Sequence, residues 1–515
     1  MHSNGLHDAK ASAPSPPWKL EFRSSKRFVI SVVSIAVFTD VFIYGMIVPI
    51  LPVVLKTRVA VPDDELQQWM SILLAAFGGA IFVGSPIFGY FADRSTSRQG
   101  PFIMGLLALG GSTVMFWVAS TMSGLVVARA LQGLSAAVVW TVGMALVVDT
   151  VGKDEVGAAM GYVSMAMTVG TVIGPFIGGI VLSRLGYHAV FVIAIALVVL
   201  DIILRLVMIE RKTASRWTQP QGNDERESLL HSESVTDSIH YATTRSVSSD
   251  PPAGSPPTST QLSDNIDEAI ANSRVSSVPV MLRLMCSGTV LVILWATIVS
   301  AMVYASFDTV RISPRLTFRT ILGLSTEPFH SAQVLPLYVM RTFKWDPFMI
   351  GLCFLPLCIP AFSSPQIGDA VDRCSPRPIA FLGFLLGCPV YILLRLIAEN
   401  TIRDQVLLYM FLFIAGVAET LQMVPLMTEV GNFVEAQEKK HPGIFGNQGG
   451  TAQAYGLFNV AWSGGQVLGP LVAGLLVDLG GWTTMVNVFG GICGGTAVAI
   501  ALTDRSILRS IWGGR

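Results

Sequence analysis

The sequence predicts an all-α membrane protein of twelve transmembrane helices, arranged as two pseudo-symmetric six-helix bundles. Three observations predict it. Of 515 residues, 52% are hydrophobic and only 13% are charged, and the mean hydropathy is +0.59, far above that of a water-soluble domain. Apolar runs recur at the roughly 20-residue length that a helix needs to cross a hydrocarbon core about 30 Å thick. They are too long for barrel strands, and only helices and closed barrels satisfy their backbones in lipid. Third, motifs of the first half return in the second.

The elements follow in order. A polar tail, 1–27, has no early apolar core or cleavage site, so no removable signal peptide is expected. Spans are expected over 28–55, 67–91, 101–119, 124–148, 157–182 and 188–209, then over 285–309, 347–368, 378–397, 405–430, 451–477 and 483–503, ahead of a short tail, 504–515. Between the two sets, 210–284 is rich in Ser, Thr, Pro and charge and has no apolar periodicity, so a disordered linker is expected there. Within it "ERESLL" (Glu225 to Leu230) fits an acidic dileucine sorting signal, or is a chance match.

Orientation follows Lys and Arg in the short loops. Lys19, Arg23, Lys26 and Arg27 precede the first span, and Arg94, Arg98, Lys153, Arg211 and Lys212 follow the second, fourth and sixth. Arg373, Arg377, Lys439, Lys440, Arg505 and Arg509 follow the eighth, tenth and twelfth. All fall on one side, expected to be the cytosol, with both termini. The plasma membrane or the vacuolar membrane is expected as its location. Equal numbers of acidic and basic residues, 34 each, point to no nucleic-acid partner. The six Cys show neither metal-ligand spacing nor a disulfide framework.

The repeat is explicit. "VGTVIGPFIGGIVLSRLGY" aligns with "GGQVLGPLVAGLLVDLGGW", so that Gly170, Gly174 and Pro175 fall on Gly465, Gly469 and Pro470, each 295 positions on. "GYFADR" (from Gly89) aligns with "GDAVDR", setting Asp93 and Arg94 against Asp372 and Arg373, and Asp40 is matched with Asp308. Two parallel repeats imply a substrate site near the midplane between bundles, with alternating access by rocking of one against the other.

These motifs resemble the major facilitator superfamily over essentially the whole chain. "GYFADRSTSR" is similar to its loop motif between helices two and three, although Ser-Thr-Ser-Arg replaces the usual Gly-Arg. "ARALQG" (Ala128 to Gly133) is similar to the fourth-helix motif, and "GTVIGPFIGG" to the antiporter motif of helix five. With "FTDVFIYGMIVPILP", the set resembles the drug:proton antiporter branch, which includes vesicular amine transporters and fungal multidrug and metabolite exporters. The resemblance implies the major facilitator fold, proton-driven export of a small organic molecule, no cofactor, and a monomer in the bilayer.

Ionisable groups at membrane depth are functional candidates by default. Asp40 is the only charged residue of the run 28–55. A low-dielectric site favours the neutral carboxyl, so this group could carry a proton in one state and attract a cation in another, or be a structural carboxylate held by a neighbouring donor. Glu419, in "IAGVAETLQMVPLMTEV", lies mid-span where the resemblance implies an acid for proton or cation handling. Asp308 ends the seventh span, as a coupling acid or a solvated helix-end group. Asn459 stands where vesicular amine transporters carry Asp, and their second-helix Lys maps onto an apolar position near Phe77, so the expected charge network is thinner than theirs. Arg129 either pairs with a carboxylate or snorkels. Arg205, with Asp201 at i−4, reads as a snorkelling pair. The resemblance implies that Asp93 and Arg94 lock an outward-facing state; the other reading is a positive-inside anchor. Gly170, Gly174, Gly178 and Gly179 are spaced for close helix contact, and Pro175 breaks the local hydrogen-bond ladder. Phe42, Tyr44, Trp140, Trp295, Met423 and Trp462 are candidates for an apolar cavity lining, or for packing.

One segment does not belong. Residues 310–333 interrupt what otherwise reads as the seventh helix and add Arg311, Arg315 and Arg319 on the side that the charge rule leaves poor in Arg. The segment opens on Val, a GT codon, and closes on Gln, which CAG encodes, so a retained intron is expected. A facilitator or proton symporter for a nutrient shares the fold, and a receptor or scaffold needs no buried carboxylates. No nucleophile–base constellation or Lys-bearing phosphate loop points to an enzyme or an ATP-driven pump.

Overall fold

A computed structural model describes residues 17–218, 280–308 and 338–507, apart from short gaps at 63–64, 96, 153–154, 340–341, 346–348, 350–351, 443, 446–448 and 505–506. The dileucine match, most of the linker and the whole of 310–333 lie outside the described residues. Among those residues all regular structure is helical, and ten helices are long and apolar enough to cross a membrane.

Six belong to the first half: α1 Lys26–Thr57, α2 Leu66–Arg94, α3 Gln99–Val118, α4 Met122–Val151, α5 Val156–Leu185 and α6 Tyr187–Val207. Polar caps set their starts, since Ser25 accepts from the Phe28 amide of α1 and Thr121 from the Gly124 amide of α4. The second half holds the other four, α7 Gly288–Asp308, α9 Pro376–Leu393, α10 Ile402–Lys440 and α11 Thr451–Thr503, and between α7 and α9 the shorter α8 Ser364–Cys374. α11 is two limbs joined at Gly480 and Gly481, which leave helical geometry. Gly481 (φ +74°, ψ −171°) repeats the conformation of Gly186 (φ +83°, ψ −179°) between α5 and α6. A left-handed φ of this kind favours glycine, so the same turn is encoded at the same point of both repeats.

Two expectations need correction. The eighth span, 347–368, is not one helix. Pro356, Pro360 and Pro365 break it into Leu355–Cys358, a 3-10 turn Ile359–Ser363, and α8, which runs on to Cys374. The linker does not start as coil at 210, because Arg211–Thr218 is helical and Arg211 donates to the Thr150 carbonyl at the end of α4.

Glycine lets the helices of each half approach closely. A Cβ on Gly170 would lie 3.0 Å from the Phe38 carbonyl oxygen, one on Gly174 2.8 Å from that of Phe42, and one on Gly178 2.8 Å from Met46, all on α1. Gly179 faces open space and takes no part. In the second half, Gly465 and Gly469 of α11 meet the carbonyls of Ile298 and Met302 on α7 in the same way. The two packings superimpose Phe38 on Ile298 and Phe42 on Met302, so the repeat partner of Asp40 is Ser300. The matching of Asp40 with Asp308 is thereby corrected: an alignment on the acidic residue alone slid the register by two turns.

The halves meet along α2 with α11 and α5 with α8. The contact is tightest at the end that carries the Lys/Arg-rich loops, here called the basic end. A Cβ on Gly78 or Gly464 would stay 3.8–3.9 Å from the other half, whereas on Gly456 or Gly89 it would come within 2.8 Å of a backbone oxygen.

Candidate functional site

Two carboxylates stand at mid-helix, one in each half. Asp40 on α1 is 4% exposed. Its Oδ2 accepts from Trp140 Nε1 of α4 at 3.2 Å, and its Oδ1 has no partner. Glu419 on α10 is partly exposed, and both its oxygens share the Ser300 hydroxyl of α7, at 3.1 and 3.2 Å. Because Ser300 is the repeat partner of Asp40, the two sites are mirror versions of one design. The acid sits on the first helix of one half and on the fourth helix of the other. Neither acid has a basic partner among the described residues. Asn459 on α11 is buried with its amide nitrogen unpaired. Asp308 closes α7, and its side chain lies outside the described residues.

Arg129 neither pairs with a carboxylate nor snorkels. It is fully buried, donates to Gln132 Oε1 at 3.3 Å, and lies 5.4–5.9 Å from the rings of Phe116, Tyr44 and Phe77. The apolar Phe77 thus stands beside the one cation at this depth of the first half, and cation–π contact takes the place of an ion pair. Arg205 does not snorkel either: it is fully buried under Phe102 and turned to Glu210, not to Asp201.

Of the proposed lining, Trp140 reaches Asp40, and Tyr44 stacks on Phe77 with ring centroids 4.7 Å apart. Trp462 is half-buried beside Tyr304. Phe42 and Met423 are buried packing groups, Phe42 against Phe38. Trp295 is half exposed and donates to Thr496 on the second limb of α11, so it faces its own half's periphery, where an indole N–H finds a hydroxyl.

At the basic end two clamps join the halves. Asp93 of α2 accepts from the amides of Ala452 and Gln453, at 3.0 and 2.9 Å, in the first turn of α11. Asp372 of α8 accepts from the amides of Gly157 and Ala158, at 2.6 and 2.9 Å, in the first turn of α5. Each carboxylate satisfies two orphan donors at the positive end of a helix dipole. Behind Asp93, Arg98 bridges it at 3.5 Å to Asp149 of α4 at 2.6 Å. In the other half Arg377 pairs with Glu429 at 2.7 Å. Arg94 lies over Tyr90 of its own helix, and Arg373 is exposed. The clamp cation is therefore Arg98, not Arg94. The signal was in the sequence: "DRSTSR" and "DRCSPR" share a second Arg at the same spacing.

Long apolar helices in two packing repeats, with interior acids and helix-capping carboxylates that join the halves, define a multi-pass membrane transporter. The model of the Major Facilitator Superfamily matches residues 33–334 and 329–509, and the chain belongs to this superfamily. The uncharacterized MFS-type transporter C18.02 of Schizosaccharomyces pombe is 31% identical to it over 92% of this chain and 94% of its own length. The probable vesicular acetylcholine transporter-B of Danio rerio is 28% identical over 36% of this chain and 38% of its own. The crystal structure of the human organic anion transporter MFSD10 (TETRAN) shares the fold, with a TM-score of 0.58, 15% identity, and coverage of 92% of this chain and 99% of that one.

Proposed function

We propose that the chain exports a small organic molecule by proton antiport. The observation that carries this reading is the pair of interior carboxylates, Asp40 and Glu419, each held by a single neutral donor and, among the described residues, by no cation. Such groups change charge with occupancy, so a proton and a cationic or polar cargo can compete for them. The bundles 28–209 and 285–503 rock about this site, the basic end faces the cytosol, and the tight α2–α11 and α5–α8 contacts there correspond to an outward-facing monomer in the plasma or vacuolar membrane. Asp40 and Glu419 take up protons from the far side and release them to the cytosol as cargo enters. Partial similarity to a probable vesicular acetylcholine transporter supports a cationic cargo.

The test uses sealed proteoliposomes with an inside-acid gradient and follows tetraphenylphosphonium accumulation. Gradient-driven uptake that Asp40→Asn abolishes is the expected result. Uptake indifferent to the gradient replaces antiport with facilitated diffusion, and no uptake by either chain overturns the cationic cargo.

A further inference from the structure

Asp201 and Arg205 on α6 are used by none of the above. Asp201 is 2% exposed and neither of its oxygens has a hydrogen-bond partner. Arg205 is wholly buried, with Nε and Nη2 unpaired by hydrogen bonds. They stand one turn apart on one helix, the spacing at which acid and base normally pair, yet they do not pair. Arg205 instead reaches past the end of α6 to Glu210, Nη2 to Oε1 at 3.6 Å. Glu210 accepts from Ser97 at 3.1 Å, in the loop that carries Arg98. Arg98 in turn holds Asp93 and Asp149 of the clamp. A line of polar groups thus runs from about two turns inside α6 to the basic-end clamp.

Its inner end meets the transport site. α6 packs against α1, on which Asp40 turns to Trp140 of α4 while the adjacent Thr39 is fully buried with its hydroxyl unpaired, as both Asp201 oxygens are. No other ionisable group intervenes. α3 carries none over 99–118, α5 offers only Tyr162 and Arg184, and on α4 Arg129 is boxed by aromatic rings while Asp149 holds Arg98. The second limb of α11, the counterpart of α6, has no charged residue over 482–503, so the device exists in one half only.

We propose that Asp201 is a third proton-binding carboxylate of this transporter and that its charge sets the basic-end clamp through Arg205, Glu210 and Ser97. The proposal rests on the proton-antiport reading. A proton taken up by the Asp201 carboxylate makes it the neutral acid, and release of that proton restores the anion. Neutral Asp201 leaves Arg205 to Glu210, the arrangement seen here with the basic end closed. Loss of the proton makes Asp201 an anion one turn from Arg205. The guanidinium then swings to it, Glu210 and Ser97 are released, and the loop supporting Arg98 and Asp93 loosens. The basic end therefore opens as pH rises.

The experiment needs no substrate. Spin labels at Arg27→Cys and Lys440→Cys, exposed sites on the two halves, report the width of the basic end in the full chain with the exposed Cys286 and Cys374 replaced by Ser. Distances are measured from pH 5 to 9. The distance should lengthen with pH, and the lengthening should be lost in Asp201→Asn, kept in Asp201→Glu, and lost in Glu210→Gln, which leaves Asp201 untouched should its own variant fail to fold. Asp40→Asn, which tests the antiport reading by transport, should keep a pH-dependent distance carried by Asp201. A pH response unchanged in both Asp201→Asn and Glu210→Gln overturns the proposal, as does the absence of any response in the parent chain.

Discussion

Two arginines four positions apart have opposite fates, and only burial separates them. Arg98 is 7% exposed and holds two carboxylates, whereas Arg94 rests on the ring of Tyr90, one turn back on its own helix. Removing one member of a buried ion pair strands its partner, a loss of about 3–5 kcal/mol, while an exposed cation–π contact contributes about 0.5–1 kcal/mol. Arg98→Ala should therefore lower the thermal midpoint in detergent by several degrees and Arg94→Ala by little; equal shifts would dismiss the assignment of the clamp cation. The Asp–Arg pair of the loop motif was legible in the sequence. Which Arg turns inward was not, because the chain leaves the helix at Ser95 with extended geometry and brings back the later residue. Asp40 could be found from composition, since a lone acid in an apolar run is conspicuous, and Glu419 from its mid-span place together with the family resemblance. Their donors, Trp140 and Ser300, could not, because a Trp or Ser in such a run carries no signal until the helices are placed. The same holds for Arg205, whose i−4 acid suggested a local pair that the fold does not form.

Packing at the scale of helices was the most readable feature and gives an internal control. Gly174 lies against the Phe42 carbonyl and Gly45, and Gly469 against Met302, whereas Gly179 faces nothing. A β-branched side chain at Gly174 or Gly469 must push two helices apart, and overpacking of this kind costs about 1–3 kcal/mol or more. Gly174→Val and Gly469→Val should each cut the monodisperse fraction on size-exclusion chromatography at least several-fold, and Gly179→Ala should match the parent. A loss at Gly179 equal to that at Gly174 would mean that close approach does not set these positions, since Ala and Val are both better helix formers than Gly. The glycine spacing that announced α5 and the first limb of α11 is the same signal that fixes the repeat register, and hence Ser300. The proline-broken stretch before α8 shows the opposite case. Hydropathy there promised a span, but three prolines in ten residues remove backbone donors faster than apolar character can compensate.

For the molecule as a whole, the two clamps are one device used twice. Asp93 caps the start of α11 and Asp372 the start of α5, so each half holds the other by a carboxylate on a helix N-terminus. On the proposed rocking mechanism, two contacts related by pseudo-symmetry resist the motion where one alone would act as a hinge. A hydrogen bond to a charged acceptor contributes about 1.5–3 kcal/mol, and an amide in place of the acid keeps one acceptor oxygen while losing the charge that suits the helix dipole. Asp93→Asn and Asp372→Asn should each raise the ratio of open to closed basic ends by about 10-fold or more, and the double variant by about the product, because separate sites sharing no partner add in free energy. Distances between labels at positions 27 and 440 measure those populations. A double variant no more open than either single one would mean that one clamp already carries the whole gate. The matched geometry at α5 and α11 argues against that, since rocking cannot break one clamp and leave the other closed.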